Sequence, residues 1–218
     1  MKYELMLRSR ANPSEPYEEK HARFFARLRQ MPHSWGMAGQ EAPPCPKMGS
    51  RELDGVRFGK LLGKGIRAQV CYLFRHSGLS KDLGMNDDFV DLSFNPEKVD
   101  YRQLVHEALP VYIEAFHGYM AQLKDDAFFE GDFPKEREMK LDDRHGVYRV
   151  HLVSYFDRLL CQRAFNLTPE EIADRLSGRI EEVRLIHDGV YLIGSSEPLE
   201  LEAADRLTQD MKRWILGG

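Results

Sequence analysis

The chain has 218 residues, 42% of them hydrophobic and 30% charged, with a net charge of −4. That length can bury a real core in one large domain or two small ones, and no apolar run approaches the roughly 20 residues of a membrane helix. Three cysteines, Cys45, Cys71 and Cys161, stand far apart and outside any CxxC pair, which argues against a disulfide framework and against a zinc site.

The opening MKYELMLRSR has a basic flank but no apolar stretch or cleavage site, so the chain reads as a cytoplasmic protein with reduced thiols. Its charge is uneven. Residues 1–80 carry 14 Lys/Arg against 7 Asp/Glu, a balance of +7, and residues 81–218 carry 17 against 28, a balance of −11. Such a split points to halves that attract each other or to one acidic face, against the plain alternative of scattered solvated charge.

In chain order, 2–8 alternates Tyr3, Leu5 and Leu7 against polar residues, the pattern of a half-buried strand. Ser14 is placed to cap a helix with Pro16 near its start, an apolar stripe of Phe24, Phe25 and Leu28, and a stop at Pro32. Between 33 and 67 the periodicity dissolves into a Gly- and Pro-rich loop, with Trp35 as its one large anchor, expected to lie over the core. RFGKLLGKG within it resembles a phosphate loop, but Gly55 and Gly59 are separated by three residues rather than four and Leu61 follows Lys60. Strands are expected at 68–75 and 89–94.

The longest periodic stretch is 95–123, whose apolar residues Tyr101, Leu104, Val105, Ala108, Tyr112, Phe116, Met120 and Leu123 fall on one helical face. Asp100 and Gln103 offer a cap, and Pro110 denies a donor to the carbonyl of His106, predicting a kink. Residues 124–144, with eight acids against five bases, read as an exposed charged excursion. A strand at 147–154, a helix from Asp157 to Phe165, and a capping box of Thr168, Pro169 and Glu171 come next, with Gly178 closing that helix. Residues 183–193 read as a hairpin turning at Asp188-Gly189, and a last helix spans about 200–216. The sum is an α+β fold: antiparallel or mixed sheet(s) with helices on one side, as a single domain 1–218. Two similar β-α-β-β-α lobes, 1–123 and 147–218, could be joined in it by the excursion 124–146.

The chemistry-bearing residues give little on their own. His106 and His117 would sit about 16 Å apart along a helix, too far to share a metal. Cys161 lies in an apolar repeat with Leu160, Ala164 and Phe165, the setting of an inert thiol rather than a nucleophile paired with His151. Arg8, Arg10, Arg23, Arg27 and Arg29 suggest nucleic acid. Phe24 and Phe25 belong to the core, however, and the acidic second half would repel phosphate, so no nucleic-acid partner is expected. Asp126 or Asp132 followed by Glu138-Met139-Lys140 has the order of a metal-dependent nuclease signature, which requires the Glu and Lys side by side on a strand.

An N-terminal strand and helix leading to Trp35-Gly36, a long irregular stretch, paired strands and an aromatic-rich helix ending YIEAFHGY together resemble the immunity proteins of bacterial polymorphic toxin and type VI secretion systems. The immunity protein 52 family, which accompanies restriction-endonuclease-like toxins, is the group most resembled. The resemblance implies a binding protein without catalytic residues, metal, cofactor or membrane attachment. It would sit in the producer's cytoplasm and neutralise a cognate effector carrying a basic nuclease domain. An acidic surface could grip such a domain. The candidate patch is Asp125, Asp126, Glu130, Asp132, Asp142 and Asp143, with Phe128, Phe129 and Phe133 among them. Glu197, Glu200, Glu202 and Asp205 are explained by the dipole of the last helix. The alternative is a hydrolase, a metal-dependent nuclease using Glu138 and Lys140.

Overall fold

Buried and half-buried residues alternate along the whole of strand β1 (Tyr3–Arg10), because Tyr3, Leu5 and Leu7 face a helical layer and the residues between them face the other way. A computed structural model describes residues 2–47, 53–73 and 82–218, and in it β1 lies at the middle of an eight-stranded sheet. On one side are β4 (Asp87–Phe94), β3 (Arg67–Leu73) and β2 (Leu53–Arg57); on the other, β5 (Met120–Asp125), β6 (Val153–Asp157), β8 (Gly189–Ile193) and β7 (Glu182–Ile186). Every pairing is antiparallel. The fold is α+β, and both halves of the chain contribute four strands to one sheet.

Cross-strand registers define the two faces. Ala68, Leu92, Leu5, Leu123, Val153 and Ile193 form a row buried across the sheet. They pack under α1 (Tyr17–Leu28) and a broken helix made of α2 (Tyr101–Gln103), a π turn (Leu104–Ala108) and α3 (Leu109–Phe116). On the opposite face Met120, Phe156, Val190 and Leu192 pack with α5 (Arg158–Phe165), α6 (Pro169–Leu176) and α7 (Leu201–Ile215). Helices therefore cover both faces rather than one.

Several local expectations hold. Asp100 accepts the Gln103 N–H at 2.9 Å, Asp157 caps α5, and the Thr168–Glu171 capping box is complete. Trp35 is fully buried, donating its indole N–H to the Asp100 carbonyl at 2.7 Å. The π turn sits just before Pro110, and the carbonyl of His106 that the proline leaves without a donor accepts from Arg184 Nη1 at 3.1 Å.

Others are corrected. Ser14 caps nothing; α1 starts behind Pro16 without a side-chain cap. The helix expected to reach residue 123 stops at Phe116, where His117 turns left-handed at φ 53° and the Gly118 N–H closes back on the Ile113 carbonyl at 2.9 Å. The chain then enters β5, a central strand, with Met120 and Leu123 on opposite faces. The charged excursion is a helix, α4 (Asp126–Glu138), and a short strand, β2, lies inside the expected loop. Residues 147–150 are not a strand: the carbonyls of Val147, Tyr148 and Arg149 are taken by Lys212 and Gln122 side chains instead of a ladder. The hairpin loop is His187-Asp188, one residue earlier than Asp188-Gly189, with His187 at φ 52°. Gly189 is needed for close approach, since a Cβ there would lie 2.4 Å from the Phe156 carbonyl oxygen. Residues 74 and 75 of the expected strand lie outside the described residues.

His151 is buried beside Phe128, with its Nδ1 lacking a hydrogen-bond partner among the described residues. Burial, then the nearby Lys124 and Arg149 charges, push its pKa well below the ordinary value. The folded state thus refuses a proton that the unfolded chain accepts below about pH 6.5, so stability is lost as pH falls through that value. His151→Leu is expected to remove this loss. Its stability relative to wild type, read from urea unfolding, should improve by up to about 2 kcal/mol between pH 8 and pH 5; an equal difference at both pH values would refute the assignment.

Candidate interaction surface

The second face changes character along the sheet. One register row runs Arg57, Gln69, Asp91, Met6, Gln122, Ser154 and Leu192. Its β6 and β8 end is buried under helices, whereas Gln69, Asp91 and Met6 are half-buried and Arg57 is exposed. A neighbouring row runs Arg67, Ser93, Glu4 and Lys124. No hydrophobic cluster among the described residues takes in Met6, Gln69, Cys71, Phe89 or Asp91. Among the described residues this face is therefore polar around Arg67, Gln69, Asp91, Ser93 and Glu4 and joins no hydrophobic cluster there, whereas Asp143 and Arg144 cover its Arg8 and Asp87 end.

A groove is cut into this polar face, with Gln69, Asp91 and Ser93 on its floor and Arg57, Lys60 and Arg67 around it. Its wall is the turn Gly59–Leu61, held by the Phe58 N–H donating to the Ala68 carbonyl at 2.9 Å. Glycine at 59 allows that approach, since a Cβ there would lie 2.7 Å from both Ala68 N and the Ile66 oxygen. On the floor Gln69 donates to Asp91 at 3.2 Å. Burial, then the Glu4 charge, raises the Asp91 pKa. Arg57, Lys60 and Arg67 are exposed and form no ion pair among the described residues. The stretch that fails as a phosphate loop is this wall.

A second cleft, where α3 and the β7–β8 turn meet the ends of β1 and β6, holds Arg10, Glu15, Glu114, His117, Asp157, His187 and Asp188. Its arginine-paired charges cancel: Arg10 forks onto Asp157, and Arg23 and Arg27 reach in to Glu15 and Glu114. Burial and then Arg23 lower the His117 pKa.

The acidic residues expected to grip a partner are mostly engaged within the fold. Asp125 caps α4, accepting from Ala127 N at 3.0 Å. Asp132 holds Arg149 through two bonds of 2.5 and 3.0 Å, and that guanidinium lies 4.5 Å over the buried Phe128 ring. Asp142 accepts the N–H groups of Gly84 and Arg144, and Asp143 pairs with Arg8 at 2.9 Å. Asp126 is half-buried and meets Lys2 at 3.2 Å, beside Glu4 on the polar face. The side chains of Phe129, Glu130 and Phe133 lie outside the described residues. Glu138 ends α4 and Lys140 sits in a left-handed turn at φ 51°, so these two do not share the strand a nuclease signature needs. Among the described residues no three His, Cys, Asp or Glu side chains are grouped to hold a metal ion, and no helix is long and apolar enough to cross a membrane. Cys161 is buried, and burial pushes its thiol up to about 12.

Sequence reasoning weighed Arg57 and Lys60 only as part of a failed phosphate loop and passed over Arg67. The signal was there in the balance of +7 over residues 1–80, but only the sheet register gathers those side chains around one groove.

The chain matches no protein-family model and no curated protein. Its fold is similar to a solved structure from a bacterial secretion system. That structure is the Pseudomonas aeruginosa T6SS protein PA0821, similar over 98% of this chain and 72% of the other at 11% identity and a TM-score of 0.54. At that identity the likeness is one of fold.

Proposed function

We propose that this chain is an immunity protein of a type VI secretion system, which binds and neutralises a cognate effector in the producer's cytoplasm and has no catalytic role. The observation that carries the reading is the polar part of the second sheet face around Gln69, Asp91 and Ser93, which joins no hydrophobic cluster among the described residues and has Arg57, Lys60 and Arg67 exposed around it. A sheet face left polar and rimmed by unpaired charge suits a partner surface of matching polarity. The similarity in fold to a T6SS protein supports the same assignment. The interface comprises this part of the face, with Asp126 and Lys2 at its margin; Asp125, Asp132, Asp142 and Asp143 hold their segment in place behind it.

The experiment is to co-express the chain with the polypeptide encoded beside its gene. Restored growth of the host and a stable purified complex are expected. Loss of the reading would come from a neighbour that kills equally with or without the chain. It would come equally from Mg²⁺- or Mn²⁺-dependent DNA or RNA cleavage by the chain that Glu138→Ala removes.

A further inference from the structure

Most described carboxylates of 125–143 are already spent on partners within the fold, while the cations around the groove are not. This reverses the expected arrangement of an acidic surface on a basic nuclease site. Unpaired charge is what a partner can complement, because a charge already held by an internal counter-ion gives little further on docking. We propose that the groove between the Gly59–Leu61 turn and the β3–β4 floor receives an acidic, extended segment of the effector, its carboxylates meeting Arg57, Lys60 and Arg67. The assignment rests on the neutralisation reading above and adds the chemistry of the contact.

The floor favours a polypeptide over nucleic acid. Gln69, Ser93 and Asp91 present both donors and acceptors to a backbone lying along β3, matching the N–H and C=O groups of a peptide, whereas a phosphate chain offers acceptors only. Three cations around one short groove also suit two or three carboxylates rather than a continuous polyanion. Among the described residues β2 ends the sheet here, so a segment entering the groove passes a strand edge that pairs with no described strand. For a nuclease effector, whose substrate site is itself basic, the contact falls away from that site, and inhibition then works by flanking or by fixing conformation rather than by plugging.

The test compares the full chain with Arg57→Glu/Lys60→Glu/Arg67→Glu and with a charge-matched control, Lys98→Glu/Arg206→Glu/Arg213→Glu. All six positions are exposed, so fold is preserved and is checked by thermal unfolding. Affinity is measured for the purified effector and, by fluorescence anisotropy at low salt, for three labelled probes: an alternating Glu-Val octapeptide, a Lys-Val octapeptide and a single-stranded DNA 20-mer. The expected result is a Kd for effector and Glu-Val peptide raised by at least about tenfold in the groove variant, unchanged in the control, and rising with ionic strength. An intact effector complex with unchanged Kd in the groove variant overturns the groove assignment and leaves neutralisation standing. Preference for the Lys-Val peptide or for DNA overturns it as well. If the Glu-Val peptide binds through the groove but no effector complex forms, it is the neutralisation reading that fails.

Discussion

Lys20→Met is expected to destabilise the protein by about 3–5 kcal/mol, the range found when one partner of a buried ion pair is removed. Lys20 and Asp88 have fully buried side chains, with Nζ 2.7 Å from Oδ2. The same ammonium donates to Ser9 Oγ at 2.7 Å and lies 4.6 Å from the Phe116 ring centroid. Ser9 passes the chain on, donating to the His117 carbonyl at 2.8 Å, and the other Asp88 oxygen accepts the Leu73 N–H at 2.9 Å. One cation therefore ties α1 to β1, β3, β4 and the end of α3. Methionine fills much of the same volume but removes the ammonium that meets Asp88 and Ser9 in a site that water does not reach. Lys20→Met/Asp88→Asn should recover most of the loss, to within about 1–2 kcal/mol of wild type, because the asparagine oxygen still accepts from Leu73. Urea unfolding of the two variants decides the matter. A single variant losing under about 1 kcal/mol, or a double variant no better than the single, would show that the pair is not what holds these elements together.

How much of the fold is legible in the sequence depends on how far each signal travels. The Thr168–Glu171 box and the Asp100 cap are contained in four residues and stand where expected. The alternation of β1 survives because its two sides meet different surroundings along its whole length. By contrast, Met120 and Leu123 continue a helical stripe by coincidence, and the break at His117-Gly118 depends on a left-handed residue that carries no composition signal. α4 is hidden for the opposite reason: a helix with charge distributed around it has no periodicity to read. That members of the acidic stretch are paired within the fold was illegible because Arg8 and Arg149, remote in sequence, arrive to meet Asp143 and Asp132. The groove was illegible because Arg57, Gln69 and Asp91 become neighbours only through the β2–β3–β4 register.

Arg144→Met is expected to cost about 3–5 kcal/mol at pH 7, and distinctly less at pH 5. Arg144 is buried and donates Nε to Asp87 at 2.7 Å, Nη1 to Asp82 at 3.1 Å and Nη2 to the Asn86 carbonyl at 3.2 Å. Asp87 also accepts the Tyr119 hydroxyl at 2.6 Å and lies 3.6 Å from Arg8. Burial outweighs these favourable partners and raises the Asp87 carboxyl to about 6. A carboxyl raised in the folded state stabilises when protonated, and that contribution is lost as pH climbs from its unfolded value near 4 through about 6. Without Arg144 the carboxyl has lost its nearest cation and rises further, so at pH 5 the folded variant carries it neutral and the deficit shrinks. With the wild-type carboxyl at about 6, the difference between the two conditions reaches at most about 1.4 kcal/mol, however far the variant's carboxyl rises. Urea unfolding of wild type and variant at pH 5 and pH 7 gives the four stabilities needed. A deficit that stays constant or grows on acidification would mean that Asp87 is ionised in the variant. The segment 141–145 would then be held to the sheet by Arg8–Asp143 and by Asp142 on the Gly84 N–H rather than by the Arg144 clamp.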